Sequence, residues 1–190
     1  MRVISGKFKG FKLIQPTDKF TRPLKDITKE SIFNVLIHSN ILNIKINNSK
    51  VLDIFSGSGS FGLECISRGS IKVVFCENYS PATEILKKNI KSLKCENFVE
   101  IINRNFFDIF ENRNFFKFKF NLVFLDPPFK EKRINDLLIN INKLNILEKD
   151  GLIVLHRNKK DNLLTENFFN VILEKVYGQS KIYFIKLRSS

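Results

Sequence analysis

Short apolar segments alternate with amphipathic segments along most of the chain, and no other feature restricts the possible fold as strongly. The apolar segments have the length of β-strands and occupy residues 51–55, 72–77, 98–102, 120–126 and 151–156. Helical spacing of apolar residues is found between them, over residues 61–67, 81–93 and 131–145. Such alternation predicts an α/β fold with a mostly parallel sheet and helices on both faces. A closing hairpin around Gly178 adds two strands, which makes seven, and predicts an antiparallel strand at the C-terminus.

The N-terminal part precedes this pattern and is organised differently. Residues 1–15 alternate between apolar and polar positions around two glycines, which predicts a short basic hairpin. Residues 23–38 begin with a proline and place apolar residues at helical spacing, so a helix should follow. With 190 residues and 43% hydrophobic content, the chain can bury one good core. We therefore expect a hairpin extension over residues 1–22 and one main domain over residues 23–190.

Composition limits the classes of partner. The chain has 32 Lys and Arg against 19 Asp and Glu, a net charge of +13, which favours nucleic acid as a partner over a membrane surface. An abundance of Asn, Lys and Ile is also typical of an AT-rich genome, so part of the lysine excess reflects codon use.

There is no secretory h-region and no apolar run near the ~18 residues of a membrane span. Three cysteines without a CxxC pair and only two histidines argue against disulfides and metal, so we expect a cytoplasmic protein without a metal ion. We also expect a monomer.

The segment DIFSGSGSFG, residues 53–62, begins in the first predicted strand and continues beyond its end. Its three glycines satisfy the pattern G-x-G-x-x-G, which occurs in dinucleotide-binding turns and also for purely steric reasons. Asp53, however, lies inside the strand, an acidic position that the nicotinamide fingerprint does not require. The pattern D-x-F-x-G-S-G resembles motif I of the class I S-adenosylmethionine-dependent methyltransferases. This resemblance implies a Rossmann-like methyltransferase fold and S-adenosylmethionine as the cofactor.

The resemblance to these methyltransferases also implies roles for individual residues. Asp53 would help to hold the cationic methionine end, and Glu77, which ends the second strand, would accept hydrogen bonds from both ribose hydroxyls. After the third strand, Asn105 and Phe106 would contact the adenine, with Asp108 as an alternative. The predicted cofactor-binding residues are Asp53, Phe55, Ser56, Gly57, Ser58, Gly59, Glu77, Asn105 and Phe106.

The fourth predicted strand ends on Asp126-Pro127-Pro128-Phe129. Two prolines end a strand because proline has no N–H to donate, so this segment could be a strand terminator alone. It also matches the [DNS]-P-P-[FYW] motif of methyltransferases that act on exocyclic or amide nitrogens. There, the Asp126 carboxylate and the Pro127 carbonyl would bind the two N–H groups of the target and aim its lone pair at the methyl group. Phe129 would stack on a flipped base, and Asp126, Pro127 and Phe129 are the predicted catalytic residues.

The N-terminal third resembles the RsmD family, bacterial enzymes that methylate N2 of guanine 966 in 16S ribosomal RNA. The family pattern is matched at Arg2, Gly6, Phe8, Lys9, Gly10 and Leu13, and again at Arg22, Pro23, Asp26, Lys29, Glu30, Ile32, Phe33 and Asn34. The chain departs from it at Leu24, Lys25 and Ile27, and at His156, where an acidic residue is expected. The resemblance implies 16S ribosomal RNA as the partner, either free or within the 30S subunit.

Basic and aromatic residues are interleaved in the same region. Three lysines and Arg22 surround Phe8 and Phe11, an arrangement suited to phosphate contact and some base stacking, although a solvated basic hairpin has the same composition. Lys29, which matches the family pattern, is added to this set. The predicted RNA-binding residues are Lys7, Lys9, Lys12, Arg22 and Lys29.

Two other enzyme classes share the chemistry of Asp126. A DNA adenine-N6 methyltransferase normally needs a target-recognition domain, for which 190 residues leave no room. A protein glutamine methyltransferase usually has Asn at this position and a helical N-terminal domain. A non-enzymatic RNA-binding module would have no use for Asp53, Glu77 and Asp126 at three strand ends.

Overall fold

The computed structural model describes residues 1–18, 23–109, 115–163 and 167–188, which contain one seven-stranded sheet with helices on both faces. The strands are β1 (Lys50–Ile54), β2 (Lys72–Cys76), β3 (Val99–Ile102), β4 (Phe120–Leu125), β5 (Leu147–Asn158), β6 (Phe169–Tyr177) and β7 (Ser180–Leu187). The helices are α1 (Asp26–His38), α2 (Ser60–Ser67), α3 (Ser80–Leu93), α4 (Phe106–Ile109) and α5 (Ile134–Leu144). None of the described helices has the length and apolar character that crossing a bilayer requires.

The strand order is β3-β2-β1-β4-β5-β7-β6. Strands β1 to β5 pair in parallel, and β7 runs antiparallel to both of its neighbours, β5 and β6. This confirms the predicted mostly parallel sheet with an antiparallel C-terminal strand. The chain leaves β1 toward β2 and later returns on the other side with β4, so a crevice opens where the order reverses. Open α/β sheets bind ligands at such a switch point, beyond the carboxyl ends of the strands.

Alternate residues of the central strands face two separate cores. Val51 and Leu122 face one core, which contains residues of α1, α2 and α3, whereas Leu52 and Val123 face the other, which contains residues of α4 and α5. Because both faces are covered, the central strands are apolar at nearly every position. An ionisable residue inside such a strand, Asp53 in β1, therefore requires a functional explanation.

Two elements differ from the predicted boundaries. Helix α5 begins at Ile134 and not at residue 131, because the preceding backbone is held in a loop by the side chain of Arg157. Strand β5 begins at Leu147, which pairs with Phe120 and extends the strand before the predicted residue 151. The short helix α4 was not predicted.

The basic hairpin is present at residues 1–13. The N–H of Val3 donates to the Phe11 carbonyl at 2.9 Å, and the N–H of Gly10 donates to the Val3 carbonyl at 2.9 Å. Val3 and Leu13 are buried in the same core as α1, α2 and α3, so the hairpin packs against the helical layer. The predicted domain boundary at residue 22 falls outside the described residues and stays a prediction.

Candidate active site

A cleft of about 510 Å³ opens at the carboxyl ends of β1, β2 and β4. The three carboxylates predicted for the site, Asp53, Glu77 and Asp126, all line it. The stacked rings of Phe61 and Phe124, whose centroids are 3.8 Å apart, line it as well. The other predicted site residues that line this cleft are Phe55, Ser56, Gly57, Ser58, Pro127 and Phe129. The topology thus brings together side chains that are far apart in sequence.

Glycine is needed at two positions after β1, one in the turn and one in the first part of α2, for different reasons. Gly59 precedes α2 with a φ of 82°, and a Cβ atom there would lie 2.3 Å from Cδ1 of Leu86. Gly62 lies against β2, and a Cβ atom there would lie 2.3 Å from Cε1 of Phe75. A larger residue at position 62 would push α2 away from β2, and one at position 59 would clash with Leu86 of α3 and strain the backbone. Both glycines therefore allow the backbone of the turn to form one wall of the cleft.

Asp53 is almost fully buried, and it has fewer hydrogen bonds than its carboxylate can accept. Its Oδ2 atom accepts a hydrogen bond from the Gly62 N–H at 2.9 Å, but among the described residues neither its Oδ1 atom nor the buried Ser56 hydroxyl has a partner. Burial raises the pKa of Asp53 well above its usual range; the Gly62 N–H lowers this pKa, and the carboxylates of Asp126 and Glu77 raise it. A cationic ligand with N–H groups would supply the missing hydrogen bonds and offset the repulsion.

Glu77 directly follows β2, and its carboxylate is held from two sides. Oε2 accepts a hydrogen bond from the Gly57 N–H at 2.8 Å, and Oε1 accepts one from the Tyr79 N–H at 2.8 Å. These bonds fix the plane of a largely buried carboxylate at the cleft wall. Because each carboxylate oxygen has two lone pairs, each can accept a further bond. Glu77 can therefore receive two hydroxyl donors side by side.

A narrow recess of about 10 Å³ lies beside Glu77, between the ends of β1 and β2 and the start of α4. Phe55, Asn105 and Phe106 line this recess. The Asn105 Oδ1 atom also accepts a hydrogen bond from the Phe107 N–H at 3.1 Å. Asp108, the alternative to Asn105, is exposed. The geometry therefore brings Asn105 and Phe106 to the edge of the cleft, while their contact with adenine stays a prediction.

Arg157, near the end of β5, holds the loop that follows Asp126, and the sequence analysis did not identify it. Its guanidinium donates to the carbonyl oxygens of Pro128 at 3.1 Å, Phe129 at 3.2 Å and Glu131 at 3.1 Å. Asp161 pairs with the same guanidinium at 2.8 Å. A planar group with five donors is suited to such a task, since it can bind several carbonyls at once. Arg157 therefore fixes the backbone on which Phe129 is carried.

His156, the preceding residue of β5, lies beside the Asp126 carboxylate. Its Nδ1 atom is 2.9 Å from Oδ1 of Asp126, and its ring is 3% exposed. Because consecutive strand residues point to opposite faces, His156 and Arg157 hold the same loop from the two sides of the sheet. The sequence had marked His156 only as a departure from the family pattern. The position of both residues at the carboxyl end of a strand next to β4 is the signal that could have indicated a role for His156 and identified Arg157.

The structure corrects the prediction that Lys29 contacts RNA. Lys29 is completely buried, and its ammonium donates to the Arg2 carbonyl at 2.7 Å and to the Ser60 hydroxyl at 3.1 Å. Glu64 lies 3.5 Å away as its ion-pair partner. Burial lowers the pKa of Lys29, and the Glu64 charge partly counters this effect. Lys29 therefore ties the hairpin to the start of α2 and is not available to a phosphate.

Glu64 attaches the hairpin to α2 from within the core. Its carboxylate accepts hydrogen bonds from the N–H groups of Ile4 at 2.7 Å and Ser5 at 3.0 Å, and from Arg68 Nε at 2.7 Å. These three donors come from two different elements, so the carboxylate links the hairpin to α2. The hairpin backbone is therefore held rigidly against the helix whose other end lines the cleft.

Three of the predicted RNA-binding residues, Lys7, Lys9 and Lys12, are exposed on this hairpin and are called the hairpin lysines below. The Lys7 N–H donates to the Ser67 carbonyl at 2.7 Å, at the far end of α2 from the cleft. With a rise of about 1.5 Å per residue, the length of α2 places Lys7 roughly 10 Å from the start of the helix. Arg22 lies outside the described residues.

The chain is similar to known proteins over almost its whole length. A family model described as "Conserved hypothetical protein 95" matches residues 1–186. Ribosomal RNA small subunit methyltransferase D of Haemophilus influenzae is 34% identical over 179 residues, which are 94% of this chain and 89% of that protein. The protein of the same name from Buchnera aphidicola is 32% identical over 184 residues, 97% of this chain and 89% of that protein. The solved structure of yhhF from Escherichia coli matches with a TM-score of 0.85 at 27% identity, over 100% of this chain and 99% of that chain.

Proposed function

The chain belongs to the RsmD family of class I methyltransferases, and on this premise we propose that it transfers a methyl group to N2 of guanine 966 in 16S ribosomal RNA. Family membership confirms S-adenosylmethionine as the cofactor. One observation carries the proposal: Asp53, Glu77 and Asp126 line a single cleft at a topological switch point. Asp53 and Glu77 are suited to bind the cofactor, and Asp126 is suited to accept hydrogen bonds from the amino group of the target.

The residues of the cleft fit S-adenosylmethionine. When bound, this cofactor supplies an electrophilic methyl group attached to a positively charged sulfur. Asp53 Oδ1 and the Ser56 hydroxyl, which lack hydrogen-bond partners among the described residues, would bind the ammonium and carboxylate of its methionine part. Glu77 would accept from the two ribose hydroxyls, and Asn105 and Phe106 would contact the adenine. The positive end of the ligand would also offset the repulsion between the clustered carboxylates.

Asp126 is proposed to orient the amino group of the guanine. The lone pair of that nitrogen is delocalised into the ring, so it becomes nucleophilic only when the nitrogen is pyramidal. Acceptors at the Asp126 carboxylate and the Pro127 carbonyl would hold the two N–H bonds in that geometry. As positive charge develops on the nitrogen, the Asp126 carboxylate stabilises it and is placed to accept the departing proton.

Phe129 is proposed to hold the base that enters the cleft. A guanine inside folded RNA reaches an enclosed site only if it is turned out of its stack, and an aromatic ring replaces part of the lost stacking. Phe129 lines the cleft beside Asp126, and Arg157 fixes its backbone. The base would therefore meet the ring and the acceptor together.

The surface of the chain supports a polyanionic substrate. The net charge is +13, and the hairpin lysines are exposed on an element that is anchored to α2. Because Lys7 lies at the far end of α2 from the cleft, it would contact RNA beside the target nucleotide and not the target itself. Such contacts position the substrate without reading its sequence. The related proteins named for small-subunit ribosomal RNA methylation support 16S RNA as that substrate.

Methyl transfer from labelled S-adenosylmethionine tests the proposal directly. The purified protein is incubated with 30S subunits that lack the modification, with naked 16S RNA, with DNA and with release factors. We expect label in 16S RNA from 30S subunits, and we expect nuclease digestion to release N2-methylguanosine from the segment containing guanine 966. Label in DNA adenine or in a protein glutamine would instead establish one of the two alternative enzyme classes.

A further inference from the structure

Three side chains form a continuous row behind the proposed catalytic carboxylate. The Ser180 hydroxyl lies 2.8 Å from Nε2 of His156, and Nδ1 of His156 lies 2.9 Å from Oδ1 of Asp126. The histidine ring is 3% exposed, whereas Ser180 is only partly buried at the start of β7. The row therefore runs from the wall of the cleft toward the surface.

The sheet topology creates this row. Leu125 of β4 pairs with Leu155 of β5, so the next residues, Asp126 and His156, are neighbours. Strand β7 runs antiparallel to β5, and its first residue, Ser180, pairs with Asn158. The end of β5 and the start of β7 therefore meet beside Asp126.

The hydrogen-bonding capacity of each group fixes the position of the protons. An ionised carboxylate only accepts, so the His156 nitrogen that faces it, Nδ1, must carry the hydrogen. In the neutral ring Nε2 then has a lone pair, and the Ser180 hydroxyl, which can donate or accept, donates to it. The geometry and these rules together select the tautomer with hydrogen on Nδ1.

We infer that His156, itself fixed by Ser180, is a positioning residue for Asp126 in methyl transfer; the inference rests on the proposed function. The terminal torsion of an aspartate is broad, so a carboxylate without such a bond samples many orientations. The hydrogen bond from Nδ1 fixes the plane of the Asp126 carboxylate before the substrate binds. A fixed acceptor lowers the cost of aligning the amino group, which is the main contribution expected from preorganisation.

The same ring also contacts Phe129. The centroids of the two rings are 5.9 Å apart with an interplanar angle of 76°, an edge-to-face arrangement. His156 therefore supports both the acceptor of the amino group and the ring proposed to stack on the base. The position of His156 therefore helps to set the distance between the Asp126 carboxylate and the Phe129 ring.

Nuclear magnetic resonance of the protein without substrate tests the proton positions. The chain has two histidines, so His38→Gln, at the exposed end of α1, assigns both sets of imidazole signals. In wild type, we expect the ¹⁵N shifts of a ring that carries hydrogen on Nδ1. In Asp126→Ala, the hydrogen should move to Nε2 and donate to Ser180. A wild-type ring with hydrogen on Nε2 alone would overturn the inference.

Two substitutions at His156 separate its two hydrogen bonds. Asn places an amide N–H near the position of Nδ1 and keeps the bond to Asp126, whereas Gln reaches toward Ser180 and loses the bond to Asp126. In single-turnover methylation, we expect His156→Asn to stay within about fivefold of wild type and His156→Gln to fall by about tenfold or more, at unchanged cofactor affinity. His38→Gln is the matched control, with wild-type rates. Equal rates for the Asn and Gln variants would refute the positioning role.

Failure of the inference and failure of the proposed function give different results. If wild type methylates no RNA, the proposed function fails, and the spectrum alone then shows whether the Ser180–His156–Asp126 row exists. If wild type methylates 16S RNA and Asp126→Ala does not, the function stands and the two His156 variants decide the inference. If both His156 variants unfold, the wild-type and Asp126→Ala spectra decide it, because they need no change at His156.

Discussion

Removal of the Glu77 carboxylate is the perturbation that most directly tests the cofactor assignment. In Glu77→Ala, two backbone N–H groups, those of Gly57 and Tyr79, lose acceptors at 2.8 Å. The proposed ribose contacts disappear at the same time. The substitution therefore acts on the free protein and on the complex, and the two effects can be measured separately.

The structure indicates which effect is larger. A hydrogen bond to a charged group contributes about 1.5 to 3 kcal/mol, so loss of the ribose contacts should weaken S-adenosylmethionine binding by about tenfold or more. Gly57 and Tyr79 are partly exposed, so water can replace Glu77 as the acceptor for their N–H groups. We therefore expect the free energy of unfolding to fall by only about 1 to 2 kcal/mol.

Titration calorimetry measures cofactor affinity, and denaturant unfolding measures the loss of stability. Glu77→Gln is the graded variant, because its single amide oxygen can replace only one of the two carboxylate acceptors. It should bind the cofactor with an affinity between those of wild type and Glu77→Ala. Glu100→Ala is the matched control, since Glu100 is a strand glutamate on β3 whose side chain is 52% exposed and pairs with Lys72. Its cofactor affinity should equal that of wild type.

One result would refute the reasoning about Glu77. If folded Glu77→Ala bound S-adenosylmethionine as tightly as wild type, the carboxylate would serve only to hold the turn between β1 and α2. An unfolded variant would lose affinity whatever the role of Glu77. Affinity is therefore measured at a temperature below the unfolding midpoint of each variant. The Glu77→Gln variant then decides, because it keeps one of the two backbone bonds.

Three further predictions concern catalysis and RNA. Asp126→Ala should lower the rate of single-turnover methylation of 30S subunits by roughly 10²-fold or more at unchanged cofactor affinity. Asp126→Asn should restore part of the rate, since an amide oxygen accepts the N–H bond without offsetting the positive charge. Wild-type activity in folded Asp126→Ala would mean that the motif is only a strand terminator. Phe129→Ala should weaken capture of the target RNA by about 1 to 3 kcal/mol in binding titrations, whereas Phe129→Tyr should be tolerated, and an equal loss in both would exclude stacking. RNA affinity should fall steeply with salt, and removal of the hairpin lysines should reduce the slope by up to about 3, because each phosphate contact releases counterions. Replacement of Lys143, Lys149 and Lys175 should leave the slope unchanged, and a flat salt dependence in wild type would attribute the +13 charge to codon use.

Much of the site could be predicted because its chemistry depends on short segments. The turn after β1 and the segment from Asp126 to Phe129 each carry their function within a few residues, so both are visible without a structure. The rule that carboxyl ends of parallel strands meet then placed Asp53, Glu77 and Asp126 in one cleft, as the structure shows. The same rule, applied to β5, would have given a role to His156, which was marked only as a departure from the family pattern, and would have identified Arg157.

Lys29 shows where a sequence pattern misleads. A lysine next to a basic segment is expected at the surface, because burying its charge is costly. In the folded chain, Glu64 of α2 and the Arg2 carbonyl surround its ammonium. Their positions depend on how the hairpin packs against α1 and α2, so the burial of Lys29 is a property of the tertiary structure.

The sequence by itself determined the α/β class, the number of strands and the two motifs, because hydrophobic periodicity and turn chemistry depend on neighbours along the chain. Only the tertiary structure decided that β7 lies between β5 and β6, that Ser180 and His156 stand behind Asp126, and that Lys29 is buried. Each of these features joins residues that are distant in sequence, and their contact is set by strand register and helix packing, which no local pattern encodes.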